Sequence, residues 1–148
     1  MIELRRATRE DIPSIFELVK ELALFEKAPE EVTATLADYE VNGFGENSLF
    51  GAYLAFYQGK LAGFALWYFR FSTWKGKRFY LEDLYVKDEF RGLGIGKQLI
   101  EICFEEAKIT NCTGMMWQVL DWNTPAIEFY KQYDAKFDGE WINVNVNL

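Results

Sequence analysis

The chain has 148 residues, half of them hydrophobic and 18% aromatic; that length and composition suit one packed domain, residues 1–148, and exclude disorder. Its 16 Lys and Arg against 23 Asp and Glu leave a net charge of −7, which disfavours nucleic acid, whose phosphates need a basic face, and suits a cationic small molecule. No histidine is present and only Cys103 and Cys112 occur, so we expect no metal site, two reduced thiols and a cytoplasmic setting.

The apolar runs are interrupted by charges well short of a membrane span, and no hydrophobic targeting segment precedes Glu3, Arg5 and Arg6. Residues 2–6 read as a first strand. Thr8 with Asp11 has the spacing of a capping box, and Pro13 is acceptable in a first turn. Ile12, Ile15, Phe16, Val19, Leu22 and Ala23 then mark one face of a helix that Pro29 should end. A shorter helix is expected over residues 33–41, closed by Asn42-Gly43.

Residues 49–57 and 61–71 predict two aromatic-rich strands joined at Gln58-Gly59-Lys60. A polar turn over residues 72–78 leads to a buried strand at 79–86. After the glycine-rich run Arg91-Gly92-Leu93-Gly94-Ile95-Gly96-Lys97, the apolar residues Leu99, Cys103 and Ala107 recur every fourth position beside Ile100 and Phe104. That stripe predicts a helix with one buried face. A connector at 109–114 and a strand at 115–120 follow. Asn123 or Thr124 is placed to cap a last helix with Pro125 at its first position, and strands are expected at 136–138 and 141–146. In the latter, Ile142, Val144 and Val146 alternate with asparagines. The sum is a mixed α/β (α+β) domain: a mostly antiparallel central sheet, flanking helices and one strand–helix–strand crossover.

Strand, glycine loop and helix start together suit an anion. First-turn amides have no partner inside the helix, and the peptide dipoles place partial positive charge there. Glycines let the backbone come close and take positive φ, so a phosphate or pyrophosphate is the expected guest, with Arg91 and Lys97 adding charge. On the glycines alone, a simple tight turn is an equal reading. The Walker pattern fails, because Arg91 stands where its first glycine should be and Gln98 where it needs Ser or Thr; the dinucleotide fingerprint fails at Lys97.

What remains, Arg91-x-x-Gly94-x-Gly96, resembles the pyrophosphate loop of the GNAT superfamily of acetyl-CoA-dependent N-acetyltransferases. Tyr80-Leu81-Glu82-Asp83, Trp122-Asn123-Thr124-Pro125 and Phe129-Tyr130-Lys131 narrow the resemblance to diamine (spermidine/spermine-type) and thialysine N-acetyltransferases. Lys20-Glu21-Leu22-Ala23, Phe25-Glu26, Gly43-Phe44-Gly45-Glu46 and Trp74-Lys75-Gly76-Lys77 extend it over nearly the whole chain. The resemblance implies the GNAT fold, with its middle strands (79–86 and 115–120) splayed apart so that acetyl-CoA enters between them. It also implies a cationic amine substrate and a homodimer. Two departures stand out. Asp134-Ala135 replaces the family's Gly-Ala pair, a turn that aspartate tolerates. The sequence ends at Leu148, whereas family members run on into a segment that contributes to the substrate pocket and the dimer contacts.

Acetyl transfer to an amine requires a base for the ammonium, stabilisation of the carbonyl oxygen and a proton for the leaving thiolate. Without histidine, the candidate bases are Glu82 and Asp83. Adjacent strand residues face opposite sides unless a bulge intervenes, and two strand carboxylates paired with neighbouring Lys or Arg are the alternative. The resemblance favours Glu82 as base, acting directly or through water, with Asp83 holding the cation. It implies backbone contacts from Leu84, Tyr85 and Val86 to the pantetheine arm and thioester oxygen. The pyrophosphate would be held over Gly92, Leu93, Gly94, Ile95, Gly96 and Lys97, beside Arg91, with further coenzyme contacts at Asn123 and Ala126. Tyr130 is the candidate acid and also lies among the coenzyme contacts. Phe25 and Glu26, with Met116, Trp117 and Gln118, are the remaining candidates for the amine pocket; a core role for Trp117 and Tyr130 competes. The function implied is N-acetylation of a polyamine, diamine or lysine analogue. Acetylation of an amino acid, peptide N-terminus or antibiotic amine is one alternative, and a non-catalytic acyl-CoA binder another.

Overall fold

The computed structural model describes residues 1–148, which divide into two compact units, residues 1–118 and 119–148. The first unit holds a five-stranded sheet in the order β1 (Ile2–Arg6), β2 (Gly51–Tyr57), β3 (Lys60–Ser72), β4 (Gly76–Val86), β5 (Gly114–Trp117). Every pairing is antiparallel except the parallel β4–β5 ladder, which closes the crossover through α3 (Ile95–Ile109). The mixed, mostly antiparallel architecture matches the sequence expectation.

Two apolar layers flank the sheet. On one side Ile15, Leu18 and Leu22 of α1 (Ile12–Phe25) pack on Leu54, Phe64, Leu66 and Tyr85. The helix α3 contributes Ile95, Leu99, Ile100 and Cys103, all buried, and packs on β4, β3 and β2. Burying a side chain such as Ile100 stabilises the fold by about 1.5–3 kcal/mol.

Several boundaries differ from expectation, each for a local reason. The Thr8–Asp11 box caps a single 3-10 turn, Arg9–Asp11, and α1 begins only at Ile12. Asp11 is held there by Arg5 at 2.8 Å and by the Thr8 amide at 2.8 Å. Pro29 does not end α1. The chain turns earlier: Lys27 takes φ 63°, with Ala28 N–H donating to the Ala23 carbonyl and Lys27 N–H to that of Leu24. That is a Schellman closure without glycine, and it fixes Glu26 as the C-cap.

The second helix, α2 (Leu36–Asn42), starts later than 33 because Thr35 and Asp38 form the capping box. The β3–β4 ladder extends to Ser72–Gly76, so the expected polar turn at 72–78 shrinks to a tight hairpin tip. β5 stops at Trp117 rather than 120.

In the second unit, α4 (Thr124–Lys131) begins at its predicted cap: Asn123 Oδ1 accepts from the Ala126 amide at 3.4 Å, with Pro125 in the first turn. Asp134 takes φ 56°, the left-handed turn expected of the family's glycine position. The strands expected at 136–138 and 141–146 are not formed; residues 136–148 carry neither helix nor strand. Alternation assigns side chains to two faces but supplies no neighbouring ladder, and Ile142, Val144 and Val146 are all exposed. Nowhere in the chain is a helix long and apolar enough to cross a membrane.

Candidate active site

The middle of β4 carries an irregularity that alternation could not reveal. Trp67 of β3 faces Leu81, and the next residue back, Leu66, faces Asp83. Glu82 is therefore an extra residue, a β-bulge. Asp83 shares its face with Leu66 and Tyr85, both part of the layer under α1. The bulge removes the strict opposition of neighbours, and Glu82 and Asp83 lie close enough that the charge of Glu82 acts on Asp83.

The electrostatics follow from this crowding. Burial pushes the Asp83 carboxyl up to about 7, helped by the negative charges of Glu82 and of Glu26 at the end of α1. Glu82 and Glu26 are themselves raised by desolvation. No lysine or arginine forms an ion pair with any of the three, so the alternative of satisfied strand carboxylates does not hold. They do not form a metal-binding cluster either. Three tyrosines line the same region: the Tyr39 phenol is raised by burial, then by Asp83 and Glu82, and those of Tyr68 and Tyr80 by burial and Glu82. The rings of Tyr68 and Tyr80 stack at 5.0 Å.

At the bulge β4 also loses its outer neighbour. The parallel ladder with β5 ends at Leu81–Trp117, whereas β4 continues to Val86. One edge of residues 82–86 is thus without a partner strand, while the other stays bonded to β3. This is the splay expected of the two middle strands. On this stretch Leu84 is half-buried, and Tyr85 is buried with its hydroxyl donating to Glu21 at 3.3 Å. The Val86 carbonyl already accepts from Arg91 Nε at 3.1 Å.

The glycine loop follows. Gly92 and Gly94 adopt φ 79° and 85°, and a Cβ built on either meets nothing within 4 Å. The conformation demands glycine and the space before it is open, which is the geometry an anion's close approach requires. Gly94 is the N-cap of α3 and has no side chain to satisfy the first-turn amides. Gly96 and Lys97 therefore belong to the helix's first turn rather than to the loop. Ile95 drives its side chain into the core, leaving only its backbone for a ligand, while Leu93 and Lys97 are exposed. Arg91 is engaged structurally, with its guanidinium 3.1 Å from Asp88 and stacked 4.7 Å over Phe25. Phe25 thereby joins the end of α1 to the loop.

Of the remaining candidates, Met116 and Trp117 are half-buried on β5 and Gln118 is exposed just beyond it. The Met116 sulfur accepts from Arg70 at 3.6 Å. In the second unit, Tyr130 is buried and packs edge to face on Phe129 at 5.5 Å. Cys103 is no nucleophile, since burial pushes its thiol up to about 12.

Comparison with known proteins decides the family. The Acetyltransferase (GNAT) family model matches residues 12–134. The chain belongs to the GNAT acetyltransferase family. It is similar to the thialysine N-epsilon-acetyltransferase of Sus scrofa, 38% identical over 141 residues covering 90% of this chain and 83% of that protein. It is also 38% identical to the Homo sapiens spermidine/spermine N(1)-acetyltransferase-like protein 1, over 90% of this chain and 20% of that one. A predicted acetyltransferase from Clostridium acetobutylicum, solved with acetyl-CoA, superposes with a TM-score of 0.79 at 22% identity, covering 98% of this chain and 96% of that one. That last likeness speaks for the fold.

Within this GNAT chain the structure brings together Glu26, Glu82 and Asp83, and joins Phe25 to Arg91. Sequence reasoning missed Tyr39, Tyr68 and Tyr80. The signal for the latter two was their cross-strand pairing, which only the register reveals. Tyr39 carried no signal beyond its place on a short helix.

Proposed function

We propose that this protein, acting as one acetyltransferase domain, moves an acetyl group from acetyl-CoA to a primary amine of a small polycationic substrate: a polyamine, diamine or lysine analogue. The observation that carries this is the β4 bulge. It sets unpaired carboxylates beside a free strand edge, immediately upstream of an open, glycine-capped helix start. The residues fit the coenzyme: the first-turn amides of α3 suit its pyrophosphate, and residues 84–86 present backbone groups to its pantetheine arm. Acetyl-CoA supplies the activated acyl group; the chain does the rest.

Glu82, raised by desolvation towards the working pH, takes a proton from the substrate ammonium, directly or through water. The freed nitrogen attacks the thioester carbon, forming the N–C bond as the C–S bond breaks, with no enzyme nucleophile. As the amide forms, the nitrogen sheds its second proton to water, and the thiolate receives a proton from the phenol of Tyr130, which regains one from water. Its assignment rests on the sequence resemblance, as do the coenzyme roles of Asn123 and Ala126 and the substrate roles of Met116, Trp117 and Gln118. Asp83 and Glu26 attract the cationic substrate. A cytoplasmic homodimer is part of the same proposal, and light scattering on the purified protein tests the dimer.

The experiment is a steady-state screen of diamines, monoamines, amino acids and peptides with acetyl-CoA. The proposal expects diamines or lysine analogues to give the highest kcat/KM. Turnover confined to peptides or neutral amines would remove the polycation reading, and coenzyme binding without any turnover would make the protein a sensor.

A further inference from the structure

Tyr39 is held more firmly than an ordinary surface tyrosine on a two-turn helix. The Thr35–Asp38 box fixes the start of α2, with the Thr35 amide donating to Asp38 Oδ2 at 2.7 Å. The Tyr39 ring then makes two edge-to-face contacts, with Phe16 of α1 at 5.5 Å and with Phe50 at 6.0 Å. It packs against the apolar layer that contains Leu66 and Tyr85. Leu66 is the cross-strand partner of Asp83, and Tyr85 is its same-face neighbour on β4. Tyr39 therefore sits on the face of the sheet that presents Asp83. Its ring is held by these contacts and is only partly buried.

Glu82 and Asp83 of β4 act on the Tyr39 phenol, Glu26 of α1 acts in turn on Asp83, and no cation is paired to these carboxylates. With Glu82 serving the reacting nitrogen, Asp83 and Glu26 are left for a second positive charge.

We propose that Tyr39 is a specificity-determining residue: its phenol oxygen accepts a hydrogen bond from the non-reacting ammonium of a diamine whose charge is balanced by Asp83. This rests on the amine-acetyltransferase reading of the site. It explains why a packed tyrosine stands beside the Asp83 and Glu82 carboxylates. A phenol adds an acceptor and a ring edge without adding further charge repulsion to a group already held near neutrality.

The test compares wild type with Tyr39→Phe and Tyr39→Leu, using 1,4-diaminobutane and n-butylamine as acceptors. Phe keeps both ring contacts, so melting should be unchanged. Tyr39→Phe should raise KM for the diamine about tenfold, the scale of one hydrogen bond to a charged group. Its kcat should stay within about twofold, and KM for n-butylamine should not move. Tyr39→Leu should weaken the diamine at least as much. Equal changes for both amines, or none for either, would overturn the assignment. If wild type acetylates neither amine, the catalytic reading falls, and calorimetry with 1,4-diaminobutane then decides Tyr39. Weaker binding to Tyr39→Phe supports the assignment; equal binding, or no binding to wild type, ends it.

Discussion

The loop after β4 meets an anion with backbone amides, whereas the bulge inside β4 meets a cation with carboxylate side chains. The loop needs no side chain at all: its glycines supply positive φ and open space, and the helix supplies the field. The bulge needs particular carboxylate side chains held close together, at the cost of raised carboxyl groups. Backbone recognition tolerates exchange of its neighbours, provided the φ values survive. Side-chain recognition depends on one extra residue in a ladder. The two regions should therefore fail in different ways.

The largest separation is expected from Glu82→Gln. Removing the base should lower kcat/KM by about a thousandfold near neutral pH, leaving coenzyme affinity within about twofold. Because desolvation raises Glu82, the wild-type rate should fall on the acidic side above the ordinary carboxylate range, and the variant should lack that limb. A pH–rate profile identical to wild type would contradict the assignment.

Gly94→Val is the reciprocal change. A β-branched residue at φ 85° costs about 1–3 kcal/mol of strain, and its side chain occupies the anion's space. Coenzyme binding should weaken by about a hundredfold, measured by calorimetry, while calorimetry of the amine alone should be unaffected. Loss of both would merge the two regions into one.

Tyr130→Phe should be milder, lowering kcat at saturating substrates by about tenfold, because a thiolate leaves partly unassisted. Unchanged turnover would remove Tyr130 as the acid.

The smallest effect concerns stability. The folded protein keeps the Asp83 proton to about pH 7, whereas a free aspartate releases it near 3.8. Folded stability is therefore lost as pH rises between those values. Asparagine carries no such penalty, so Asp83→Asn should melt like wild type near pH 4 and gain on the order of 5 °C by pH 8. A pH-independent difference would mean that Asp83 is not desolvated as described.

These two regions also mark what the sequence made legible. The loop and α3 are local: three glycines in five positions and a repeat at Leu99, Cys103 and Ala107 were enough. The bulge was legible only as a condition, since a strand of Leu81-Glu82-Asp83-Leu84 gives no sign of its register. Tyr68 and Tyr80 enter the site through the register of the β3–β4 hairpin, and Tyr39 through the packing of α2 on the core. The end of α1 was misplaced because Lys27 adopts a conformation usually left to glycine. Residues 141–146 show the reverse failure, a pattern strong enough for a strand but without a ladder to join.

The central claim is that peptide amides at the start of α3 grip the diphosphate of coenzyme A. Calorimetric titration of the wild-type protein with CoA, and in parallel with pantetheine, which lacks the diphosphate, tests it most directly. The account predicts saturable CoA binding at least about a hundredfold tighter than pantetheine. Equal affinity for the two, or no heat with CoA at millimolar concentration, would contradict it.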